Sequence, residues 1–227
     1  PEPQTRLLYE RLRLQKEGES APSARYSNLP ASLSPLIGRE SELAEVQGRL
    51  LDPACRLVTI LGPGGSGKSR LALEAGRGLL ARFADGVFLV PLSPLISQES
   101  LLPAIASAVG LQIKENRTPM LQLQDYLRSK ELLLLLDGCE GLLGGVPLFL
   151  DLLRGSPYLK LLATSRARLN VEEEQIYNLA GLQVSLAEDR LAAAACPAVR
   201  LFTSAARRPA RGPRAGSRPG WRGPGEV

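Results

Sequence analysis

Eight consecutive residues, Gly62-Pro63-Gly64-Gly65-Ser66-Gly67-Lys68-Ser69, have the types and spacing to hold a chain of phosphates. They satisfy G-x-x-x-x-G-K-[ST] in full. Glycines let the backbone curl so that successive N–H groups point inward at an anion, and a helix starting at the end of the loop adds its positive N-terminal end. Lys68 can then reach the terminal phosphates, and the Ser69 hydroxyl can ligand Mg²⁺. A side chain at Gly65 or Gly67 would obstruct this arrangement.

A phosphate loop by itself only binds, so a switch or hydrolase also needs an acid to hold the metal and a group to sense the terminal phosphate. Leu132 to Leu136 form an apolar run that ends in Asp137. A buried strand ending this way sets one carboxylate at the carboxyl edge of a sheet, where it can hold Mg²⁺ through water. Leu161-Leu162-Ala163-Thr164-Ser165-Arg166 repeats the pattern with a guanidinium, which suits a phosphate oxygen and equally suits a surface charge.

These groups need a scaffold, and the pattern around them supplies one. Arg56–Leu61 reads as a buried strand before the loop, and Leu71, Ala75 and Leu79 recur at helical spacing after it. Strands are expected at Val87–Leu92, Leu132–Leu136, Leu159–Ala163 and Gln175–Leu179. Helices are expected from Glu40 to about Leu51, Lys68 to about Arg82, Glu99 to Val109, Pro119 to about Ser129, and up to about Arg154. Thr118 before Pro119 is a favourable helix start. Strands apolar throughout, alternating with helices, predict an α/β fold with a parallel sheet covered by helices on both faces.

The 227 residues, 44% hydrophobic, suffice for one good core. Of the formal charge of +5, all is accounted for by positions 207–227, which hold six Arg against Glu226, leaving 22 basic and 22 acidic residues before them. No basic face is therefore expected on the core. Six Arg, five Gly and four Pro in those last 21 positions predict a disordered basic tail, read as an unstructured end rather than a nucleic-acid arm. Cys55, Cys139 and Cys196 are widely spaced in a chain without His, which suggests neither a disulfide framework nor a Cys/His zinc site. No apolar run reaches the length of a membrane span, and a cytoplasmic location is expected.

Ile37-Gly38-Arg39-Glu40, the loop Gly62 to Ser69, Leu132 to Glu140 and Leu161 to Arg166 occur in the order and approximate spacing of STAND-type signalling ATPases. The chain resembles the NB-ARC group and the ATPase segment of large bacterial transcriptional regulators over about residues 30–206. Pro3 to Glu10 is similar to the last helix of the bacterial transcriptional activator domain. Gln4–Lys16 reads as a short amphipathic helix and 18–35, rich in Ser, Pro and Ala, as a linker. With the P-loop NTPase that the resemblance implies, four segments are expected: 1–17, the end of a preceding helical domain; 18–35, the linker; 36–206, the ATPase domain, read as C-terminally truncated; and 207–227, the tail. The resemblance implies that the Arg166 strand lies between the Gly62 and Asp137 strands, and that Ile37, Gly38 and Arg39 touch adenine. ATP or ADP with Mg²⁺ are the implied cofactors. The implied partners are a nucleotide, a second copy on activation, and DNA only through domains absent from this chain. Related ATPases often carry an acid directly after the metal-binding Asp, whereas here Gly138 follows and Glu140 comes three positions on. The expectation is a nucleotide-gated switch with slow or no hydrolysis, Glu140 and Arg166 being its catalytic residues. The alternative is a P-loop enzyme in which turnover is the purpose.

Overall fold

The computed structural model describes residues 26–32, 35–115 and 117–181. The expected helix Gln4–Lys16, the segment 182–206 and the tail 207–227 lie outside the described residues.

Ten elements follow the apolar pattern closely: α1 (Glu40–Leu51), β1 (Leu57–Leu61), α2 (Lys68–Leu79), β2 (Gly86–Pro91), α3 (Leu101–Ala108), α4 (Pro119–Leu127), β3 (Leu132–Asp137), α5 (Val146–Gly155), β4 (Leu159–Ser165) and β5 (Glu174–Asn178). The five strands form one parallel sheet in the order β2-β3-β4-β1-β5. β4, which delivers Arg166, thus lies between the strands leading to Gly62 and to Asp137, as the resemblance implies.

Successive strand residues point to opposite faces, and here both faces are apolar. Leu57, Leu132, Leu134, Leu136, Leu159, Leu161 and Ala163 pack under α3, α4 and α5 with Ile105, Leu127, Phe149 and Leu152. Val58, Ile60, Leu133, Leu135 and Leu162 pack on the other face under α1 and α2 with Val46, Leu50, Leu71 and Leu79. Runs of leucine thus make good parallel strands, because no position has to face water.

The described part of the expected linker is packed rather than free. Asn28 pairs through its side-chain amide with the edge of β2, accepting from Leu89 N at 2.6 Å and donating to Leu89 O at 2.9 Å. The chain then runs back along α2, where Arg77 donates to Pro30 O, Ser32 donates to Glu74 at 2.8 Å, and Arg70 donates to Pro35 O at 2.9 Å. This strap covers a sheet edge and ends at Ile37, close to the start of α2. α4 starts at Pro119 after an extended Thr118, as expected, but the Thr118 side chain makes no capping hydrogen bond. Gln122 instead ties down the entering loop, bonding Lys114 N, Lys114 O and Arg117 O.

Candidate functional site

The loop from Gly62 to Ser69 joins the carboxyl end of β1 to α2, so it lies on the edge where all five parallel strands end. Gly65 and Gly67 adopt φ of +77° and +93°, and a Cβ at either would meet nothing within 4 Å. Backbone strain rather than crowding therefore demands glycine there. Gly67 caps α2 without any side-chain hydrogen bond, and the first turn of α2 contains no acid. The free N–H groups of this turn remain available to an anion. By contrast, α1 begins with Glu40 and Glu42, acids that already complement the positive end of its own dipole. Lys68 is buried and its ammonium donates to Pro63 O at 2.9 Å, folding back across the loop. Ser66 Oγ is buried without a hydrogen-bond partner among the described residues, an orphan that a phosphate oxygen would satisfy. On these grounds the cradle fits a polyphosphate.

The sheet brings the second group of residues alongside. In the register of β3 with β4, Asp137 faces Thr164. The Thr164 hydroxyl donates to Asp137 Oδ1 at 2.6 Å and accepts from Gly138 N at 2.9 Å, which fixes the carboxylate's orientation. Sequence reasoning passed over Thr164. Its only signal is a hydroxyl at the end of an apolar strand, which acquires meaning once the register is known. Among the described residues no group of three or more His, Cys, Asp or Glu converges. A Mg²⁺ ion held by Asp137 and Ser69 would thus draw its remaining ligands from phosphate and water, as this ion usually does.

Gly138 has φ +85°, and a Cβ there would lie 1.9 Å from Ser93 Oγ. The positive φ and the Ser93 side chain together disfavour an acid directly after Asp137. Cys139 is buried beside it, and burial, reinforced by Glu140 and Asp137, pushes its thiol up to about 12. It stays protonated and unreactive as a nucleophile.

Glu140 and Arg166 meet each other. Arg166 Nε lies 3.1 Å from Glu140 Oε1, while Glu140 Oε2 is buried without a hydrogen-bond partner among the described residues. The Arg166 guanidinium carbon is 3.5 Å from where a Cβ on Gly64 would stand, directly over the phosphate loop. It is brought there by Ser165, whose carbonyl accepts from Gly62 N at 3.3 Å.

At the other side of the loop, Arg39 is buried and already committed. It pairs with Glu42 at 2.6 Å and donates to Ala180 O at 2.6 Å. Since Leu179 N donates to Leu61 O at 2.7 Å, this contact fastens the Ile37-Gly38-Arg39 turn beside the exit of β1. Ile37 and Gly38 are half-buried there.

Residues 39–139 match the NB-ARC domain model. An uncharacterized protein of Mycobacterium tuberculosis is 33% identical over 177 residues, 78% of this chain and 42% of the relative. A second M. tuberculosis protein, named "Putative HTH-type transcriptional regulator", is 33% identical over 131 residues, 57% of this chain and 15% of that one. The chain thus spans about two fifths or less of the length of these relatives. Among solved structures, a Signal Transduction ATPase with Numerous Domains (STAND) protein with a tetratricopeptide repeat sensor from Pyrococcus horikoshii aligns at 17% identity and TM-score 0.47, covering 71% of this chain and 26% of its own.

Proposed function

We propose, from the match of residues 39–139 to the NB-ARC domain model, that this chain is the ATP/ADP-binding signalling module of a bacterial transcriptional regulator. It acts as a nucleotide-gated switch with slow or no hydrolysis. In this reading Lys68 and the N–H groups of the loop hold the phosphates, and Ile37 to Arg39 form one wall of the adenine pocket. Ser69 and Asp137 would hold Mg²⁺, which neutralises phosphate charge when bound. Arg166 reads the terminal phosphate. The regulator context is supported by the M. tuberculosis relative named above. DNA contact is assigned to parts of such a protein outside this chain, self-association to the activated state, and the location to the cytoplasm.

One observation favours a switch over an enzyme: the steric closure of position 138 by its φ of +85° and by Ser93. That closure leaves Glu140 as the nearest carboxylate after Asp137 in sequence, and one of its oxygens is held by Arg166. A base that is poorly placed raises the barrier, about tenfold in rate for each 1.36 kcal/mol.

Single-turnover hydrolysis of ATP is the test. A rate well below ~1 s⁻¹, the lower end for kinases, is expected. Glu140→Gln should slow it further, and Asp137→Asn should weaken Mg²⁺-dependent binding. A wild-type rate inside the kinase range would contradict the switch.

A further inference from the structure

We propose that Glu140 is a positioning residue for Arg166, holding the guanidinium over the phosphate loop until the terminal phosphate of a nucleoside triphosphate takes it away. The identity of the ligand rests on the nucleotide-switch reading above. Three observations carry the rest. The two side chains form an ion pair at 3.1 Å between Nε and Oε1. The guanidinium stands 3.5 Å from the Cβ position of Gly64, so its resting place is already at the mouth of the cradle. The strand that carries it is fastened to the loop through Gly62 N and Ser165 O, so a shift of the loop is felt at Arg166.

The pair is built to be exchanged. The Arg166 side chain is 65% exposed and that of Glu140 34%, so solvent screens the pair in part and a stronger anion can displace the carboxylate. A terminal phosphate carries more charge than a carboxylate and matches the guanidinium fork in a bidentate contact. Nucleoside diphosphate lacks that group and leaves the pair closed. Transfer of Arg166 to the triphosphate therefore releases Glu140 Oε1 only in the triphosphate-bound state, linking the chemistry of the third phosphate to the turn that follows β3. In setting nucleotide preference Glu140 acts through Arg166, as a competitor for it, and this effect on binding is separate from the effect of Glu140 on hydrolysis.

The test is a double-mutant cycle on the full chain, with thermal melts confirming that each variant is folded. Affinities for ADP and for a non-hydrolysable ATP analogue with Mg²⁺ are measured for the wild type, Glu140→Gln, Arg166→Gln and the double variant. Removing the competing charge should tighten the analogue about two- to fivefold, the scale of an exposed ion pair, with ADP unchanged. Arg166→Gln should reduce the preference for triphosphate, and Glu140→Gln should then have no further effect. Equal shifts for ADP and the analogue, no shift at all, or a Glu140 effect that persists without Arg166 would overturn the proposal. A folded wild type that binds neither nucleotide would overturn the switch reading as well, so the two failures are distinguishable.

Discussion

Gly138 closes off a second carboxylate beside Asp137. Its φ of +85° would cost a side-chain-bearing residue about 1–2 kcal/mol, and a Cβ would lie 1.9 Å from Ser93 Oγ. Gly138→Asp should therefore destabilise the protein by roughly 1–3 kcal/mol, measured as a lower urea midpoint, without accelerating hydrolysis. Adding Ser93→Gly should recover the part due to the clash. A Gly138→Asp variant of unchanged stability would mean that the turn has another conformation available. Asp137 and Arg166 can be read from sequence because each ends an apolar run, which puts them on a common edge whatever the strand order. The Glu140–Arg166 pair cannot be read this way. It depends on β3 and β4 being neighbours and on a turn after Gly138 that no periodicity encodes. Nor does the sequence reveal that the Arg39 guanidinium is already bound by Glu42 and the Ala180 carbonyl.

Among the elements, the strap before α1 is the one whose role the sequence hides. A stretch rich in Ser, Pro and Ala has no hydrophobic period, so sequence reads it as a linker; the hydrogen bonds of Asn28 to Leu89 and of Arg70 to Pro35 make it a structural part of the domain. Asn28 replaces a missing strand partner on the edge of β2, a position that would otherwise present unpaired backbone groups. Asn28→Ala should lower stability by about 1 kcal/mol, because Leu89 N can turn to water at an exposed edge. Amide hydrogen exchange gives a sharper reading: protection of Leu89 N–H should fall in the variant, while that of Leu134 in the centre of β3 stays high. Unchanged protection at Leu89 would show that the strap does not hold that edge. The strands themselves are the most legible elements, since leucine-rich runs buried on both faces leave little choice of partner or orientation.

At the scale of the whole described molecule, β1 lies between β4 and β5, both from far later in the chain, so the phosphate loop is positioned only once the sheet is assembled around it. Leu57 pairs with Leu161 across roughly a hundred residues, the kind of non-local contact that forms slowly. Loss of one loop side chain should therefore leave the fold intact, because the two apolar layers and not the loop hold it together. In the proposed reading Lys68 would contribute a single charge-assisted contact to phosphate, from a loop that is otherwise largely solvent-exposed. Calorimetric titration of the wild type and of Lys68→Ala with ADP and ATP in Mg²⁺ tests this most directly. The account predicts saturable binding by the wild type, and loss of most of that affinity in a variant that melts at nearly the same temperature. A folded Lys68→Ala protein with wild-type affinity would contradict it.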